Sequence, residues 1–243
     1  GLGDVYKRQG IGFAYAKLLT QKGWHLDLIS QNQERSQNAL DELAYTNCNT
    51  HICDLSSAES LMNVINNIPL PDLIVANAGI GITGSVGKNN REHITDASYL
   101  MFGGVIELIE YYLPQMKIRN SGRVVIISSI GALIPMPKSS IYAAVKSGVY
   151  AYGRSLNNEL KGNNVSVTVS LPGYVKTKLS AALLENETSK KGFLKNVSLG
   201  RESTPDEMAG LAVFLASDAS SYMTGTSIVN DGGLMNAPLI PMQ

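Results

Sequence analysis

Neither sign of charge is in excess in this chain of 243 residues: 20 Lys+Arg offset 20 Asp+Glu, and the formal net charge is zero. That balance gives no electrostatic reason to expect nucleic acid or an anionic membrane as a partner. Apolar runs fall short of the ~20 residues needed to cross a bilayer, and the amino terminus has no charged-then-apolar leader pattern, so a cytoplasmic location is expected. Cysteine is scarce, with Cys48 and Cys53 alone. They bracket a short predicted strand and read either as a disulfide or redox pair or as two small core residues, the commoner role in a chain of this kind. The three histidines, His25, His51 and His93, fall at no ligand spacing, so no metal site is expected. Repeats, low-complexity tracts and linkers are also missing, which leaves one domain over residues 1–243.

What is present is ordinary for a soluble globule, 44% hydrophobic and 16% charged, at a length that suits one α/β domain with a full core. Apolar strand-like runs alternate with helical patterns, the order expected of a parallel sheet covered on both faces. The pattern predicts strands over Trp24–Ser30, Asn49–Cys53, Asp72–Ala76, Arg123–Ser128, Val165–Leu171 and Thr226–Asn230. Helices are predicted over Ile11–Lys22, Gln33–Ala44, Ala58–Asn66, around Ala97–Lys117, and over Tyr142–Lys161 and Pro205–Ala216. Gly23 and Gly162 stop two of them, because a helix end often needs a left-handed residue. The expected fold is a single Rossmann-like, doubly wound parallel α/β sheet.

One segment points to chemistry. Tyr142-Ala143-Ala144-Val145-Lys146 places a phenol and an ammonium four residues apart on one helix face. Ser129 lies thirteen residues before the tyrosine, at the carboxyl end of the strand that runs through Val124 and Ile127, where open α/β sheets bind their ligands. A phenol of pKa about 10 is a poor acid-base group at neutral pH, and the nearby lysine cation is expected to pull it toward the working range. With 11 tyrosines and 20 Lys+Arg, about one such pair arises by chance, so its context decides.

That context resembles the short-chain dehydrogenase/reductase family from about Gly10 to Gly233. The resemblance is carried by Gly10-Ile11-Gly12, Asp54-Leu55, Asn77-Ala78-Gly79, Ser128-Ser129, Tyr142 to Lys146, Pro172-Gly173 with Thr177, Thr224-Gly225 and Asp231-Gly232-Gly233. Within the family the chain looks most like the 3-oxoacyl-acyl-carrier-protein reductases. The resemblance implies reversible hydride transfer between a nicotinamide and a ketone or secondary alcohol, with Ser129, Tyr142 and Lys146 catalytic. It also implies a homodimer or homotetramer. Gly10, Ile11 and Gly12 would hold the cofactor pyrophosphate at a helix end, Asp54 and Leu55 the adenine, and Asn77, Ala78 and Gly79 the cofactor ribose. Pro172, Gly173, Val175 and Thr177 would serve the nicotinamide, and Tyr142 and Lys146 its ribose. At the end of the second family strand Ser30 stands where NAD-preferring relatives carry aspartate, and Gln31 where many NADP-preferring ones carry arginine. Without the acid nothing repels a 2′-phosphate, so NADP(H) is modestly favoured over NAD(H). Asp54-Leu55-Ser56 also reads as an ordinary helix-capping turn, and Arg35 either as a phosphate contact or as part of a solvated helix face.

Three segments depart from the pattern or leave the substrate open. Asp4 to Gln9 reads as the translation of a transposon-end adapter, and residues 1–9 are expected to be a scar replacing the first strand and phosphate loop. Met101 occupies the place of a family asparagine that completes a catalytic tetrad, and methionine is only a weak acceptor. These two departures favour an alternative reading, a catalytically impaired nucleotide-binding or interaction protein on the same fold, against which Ser129, Tyr142 and Lys146 speak. The third segment, Leu179 to Leu199, interrupts the alternation and is expected, over residues 178–200, to form a lid over the substrate. Ala181, Ala182, Leu183, Leu184, Phe193 and Leu194 there, with Ile134 and Met136, suggest an apolar pocket for a small carbonyl or alcohol, although ordinary packing would use the same residues.

Overall fold

A computed structural model of the chain describes residues 10–43, 47–181 and 187–236. Strands β1 (Leu26–Ser30), β2 (Cys48–Ile52), β3 (Leu73–Ala76), β4 (Gly122–Ile127), β5 (Val165–Pro172) and β6 (Ser227–Asn230) are all parallel. Among the described residues they pair as β1–β2 and as β3–β4–β5–β6. The reading of residues 1–9 as a scar in place of the first strand lies outside the described residues.

Helices cover both faces because strand side chains alternate. In β4, Val124 and Ile126 join one core with Ile65, Ile109, Met116 and Leu156, from α3 (Ala58–Ile65), α5 (Gly104–Arg119) and α6 (Ser140–Glu159). Val125 and Ile127 face the opposite way, to Ala14 and Tyr15 of α1 (Ile11–Gln21) and Ala209 and Ala212 of α8 (Pro205–Ala216). α2 (Gln33–Leu43) links β1 to β2, and α7 (Glu187–Leu194) lies inside the expected lid, of which residues 182–186 are not among those described. Helix α8 begins where the sequence says it should: Thr204 and Glu207 form a capping box with Pro205 in the first turn.

The strands keep within two residues of their predicted limits, but the helix predicted around Ala97–Lys117 is three segments. α4 (Arg91–Ser98) starts on Asn90, whose side chain accepts the His93 amide at 2.7 Å, and a π-turn over Tyr99–Gly103 follows before α5. Gly103 and Gly104 are needed there: a methyl group on them would lie 3.0 and 3.2 Å from the Tyr99 ring. Both cysteines are free, and Cys53 is buried in the core, the structural role weighed for it above.

Candidate active site

The carboxyl ends of β3, β4 and β5 open into a cleft of about 1370 Å³, large enough for a dinucleotide with a small substrate. β4 ends in Ser128 and Ser129, and two hydrogen bonds lock α6 to that end. The Ser128 hydroxyl donates to the Lys146 carbonyl at 2.8 Å, and Lys146 Nζ donates to the Ile127 carbonyl at 2.9 Å. α6 therefore brings Tyr142 and Lys146 to Ser129, and all three line the cleft. Ser129 caps a short 3₁₀ turn, its Oγ accepting the Gly131 amide at 3.0 Å, so its hydroxyl proton faces the Tyr142 phenol and the cleft. Gly131 permits this close approach: a methyl there would meet Met136 Sδ at 2.4 Å and Tyr142 Cε1 at 3.5 Å.

The electrostatics correct one expectation. Burial pushes the Tyr142 phenol above its ordinary value of 10.0, and the facing Ser129 hydroxyl pulls it back in part. Burial also brings the Lys146 ammonium down from 10.5 to about 8. Lys146 Nζ points to a backbone carbonyl and lies 5.9 Å from the Tyr142 ring centroid, so here desolvation outweighs its pull on the phenol.

Of the residues expected to hold a cofactor, Gly10, Ile11, Asn77, Gly79, Tyr142, Lys146, Pro172, Gly173, Val175 and Thr177 line the cleft. Gly10 is the N-cap of α1 and offers no side-chain cap, so among the described residues the first-turn amides are left for an anion. Gly12 lies just beneath, where a methyl would be 2.4 Å from Asn77 Nδ2. A methyl on Gly173 would strike the Asp231 backbone at 2.6 Å. Ser30, Gln31, Asp54, Leu55 and Ala78 sit beside the cleft rather than in its wall. Gln31 Nε2 is engaged with Asp54 Oδ1 at 3.1 Å, and Ser30 Oγ accepts the Asn32 amide at 3.3 Å. The wall at that end is made by Asn32, Glu34, Arg35, Asn38 and Glu42. Sequence reading singled out only Arg35 among these, because helical periodicity alone does not say which polar positions of α2 turn toward a ligand.

Met101 is 1% exposed and packs with Ile82, Leu100 and Val145. A methyl on Gly79 would lie 3.9 Å from Met101 Sδ and 4.0 Å from Lys146 Nζ, so the thioether and the ammonium both approach Gly79. Ile134, Met136, Tyr174, Leu179 and Phe193 give the substrate end apolar walls. Ala181 and Leu194 are outside that wall, and Ala182, Leu183 and Leu184 are outside the described residues.

A family model described as enoyl-(acyl carrier protein) reductase matches residues 5–235. The chain is 31% identical over 233 residues to the 3-oxoacyl-(acyl-carrier-protein) reductase FabG of Chlamydia trachomatis, covering 93% of each chain. It is 32% identical over 233 residues to carbonyl reductase family member 4 of Xenopus laevis, covering 93% of this chain and 94% of that one. Among solved structures, the Pseudomonas aeruginosa RhlG/NADP active-site complex superposes with a TM-score of 0.83 at 26% identity, covering 93% of each chain. The chain belongs to the short-chain dehydrogenase/reductase family. It is an NAD(P)-dependent oxidoreductase acting on a small-molecule substrate.

Proposed function

We propose that the enzyme interconverts a ketone and a secondary alcohol with Ser129, Tyr142 and Lys146 as its catalytic residues. The carrying observation is their convergence on the cleft that Gly10, Ile11, Asn77 and Thr177 also line. A nicotinamide held by these residues would supply or accept the hydride. In reduction Ser129 turns its hydroxyl proton from the phenol to the substrate oxygen, positioning the carbonyl and stabilising the charge that develops there. Tyr142 delivers the proton. Lys146, buried beside it, stabilises with its positive charge the phenolate left behind.

The α1 amino end, which no side chain caps among the described residues, suits a pyrophosphate with Gly12 packed against Asn77, and the Pro172–Gly173 turn suits a nicotinamide. NADP(H) is the preferred cofactor in this reading. Arg35 in the cleft wall, and the absence of an acid at Ser30 and Gln31, favour a 2′-phosphate. A homodimer or homotetramer in the cytoplasm, without nucleic acid or membrane, is the assembly that family membership and the balanced charge favour. Among the described residues no helix is long and apolar enough to cross a membrane. Assays of the purified protein on a ketone and alcohol panel with both cofactors test the reading. Turnover is expected with NADPH above NADH, and failure with every ketone and alcohol would overturn it.

A further inference from the structure

The charged side chains lining the cleft are unevenly placed. Among the described residues, Glu34, Arg35 and Glu42 stand at the α2 end, Lys146 at the catalytic centre, and Lys178 on the loop after β5. Lys178 is exposed, and no ion pair holds it among the described residues. The neighbouring Leu179 closes on the opposite loop, its Cδ1 at 3.6 Å from where a methyl on Gly81 would stand. Tyr174 and Phe193, with ring centroids 4.8 Å apart, form an apolar wall of the same cleft, and Met136 lies across from them beside Ser129. In a chain of zero net charge, residues 176–195 hold five lysines (Lys176, Lys178, Lys190, Lys191 and Lys195) against two acids, Glu185 and Glu187, and Lys190 is paired with Glu202 at 2.9 Å.

We infer that the substrate is an anionic ketone, an oxo acid whose apolar body lies against Met136 and Phe193 and whose carboxylate meets Lys178. The inference rests on the catalytic reading above and names the substrate class of that site. An uncharged ketone gains nothing from a cation at the rim of an apolar cleft. A carboxylate does, because its charge would otherwise leave water beside apolar walls unpaired. Lys178 is a specificity residue here and does not touch the reacting atoms.

The test compares oxo-octanoate, its ketone next to the terminal methyl, with its methyl ester in the intact enzyme with NADPH. The wild type is expected to favour the acid in kcat/KM by at least about fivefold, with the preference shrinking as salt is added. Lys178→Gln should bring acid and ester close to parity and Lys178→Glu should reverse them, with the ester rate, the KM for NADPH and the melting temperature unchanged. Equal use of acid and ester by the wild type would overturn the inference while leaving the oxidoreductase reading intact. A preference that survives Lys178→Gln, or a variant that loses NADPH affinity instead, would also overturn it and in the latter case assign the lysine to the cofactor. Turnover confined to oxoacyl groups on a carrier protein would rule out the small acid. Turnover of neither acid, ester nor any other ketone would bring down the catalytic reading itself.

Discussion

Lys146 Nζ hydrogen-bonds to the carbonyl oxygen of Ile127 at 2.9 Å, tying α6 to the last residue of β4. With the Ser128 hydroxyl returning a bond to the Lys146 carbonyl, the clamp sets the register of Tyr142 against Ser129. The ammonium is held by the backbone in a desolvated place, and this arrangement has consequences for stability as well as chemistry.

The first consequence is a cost. The folded protein holds Lys146 near pKa 8 against 10.5 when solvated. A lowered lysine pKa means that below about pH 8 both states are protonated and the folded state bears the full desolvation cost; the cost fades as pH rises toward 10.5. The shift corresponds to about 3 kcal/mol at most. Lys146→Met should therefore melt higher than the wild type at neutral pH without cofactor, with the gap narrowing above pH 8, while turnover is lost. A wild type that is the more stable at neutral pH would show that the bond to Ile127 outweighs the desolvation.

Met101 offers a separate test. Asparagine there would bring a polar amide to within reach of the Lys146 environment, in a cluster otherwise made of Ile82, Leu100 and Val145. Met101→Asn is expected to raise kcat by supplying a proton relay, and to lower stability by about 1–3 kcal/mol for a buried, incompletely paired amide. Stopped-flow turnover and thermal melts on the same preparation separate the two effects. An unchanged or lower kcat would mean that proton transfer already runs efficiently around the thioether.

Arg35 lines the cleft and is exposed, with its amide held by Asn32 Oδ1 at 2.8 Å. Arg35→Ala should raise the KM for NADPH by roughly tenfold, about 1.4 kcal/mol, and leave that for NADH nearly unchanged. Equal changes for the two cofactors would place the guanidinium away from the 2′-phosphate.

Much of this was legible in the sequence, for identifiable reasons. β4 alternates between two cores, so Val124 to Ile127 announces a strand buried on both faces, and Tyr142 with Lys146 follows from the helical repeat. The π-turn at Tyr99–Gly103 was not legible: α4 is mostly polar and carries no apolar stripe, and a helical reading that runs through Ala97–Lys117 does not show a local widening of the turn. The pKa order of Tyr142 and Lys146 was misjudged because spacing shows proximity but not desolvation, which depends on the packing of Val145, Met101 and Ile82 around them. The polar wall formed by Asn32, Asn38 and Glu42 needed the direction in which α2 leaves the sheet.

The proposed role of Tyr142 as proton donor is isolated by Tyr142→Phe, since the change removes one hydroxyl and little volume. Single-turnover reduction of an accepted ketone, with NADPH binding measured by calorimetry on the same sample, should show hydride transfer slowed roughly 10²–10⁴-fold while the cofactor Kd stays close to wild type. Turnover retained within about tenfold with cofactor binding intact would contradict the account and move the acid-base role to another group in the cleft.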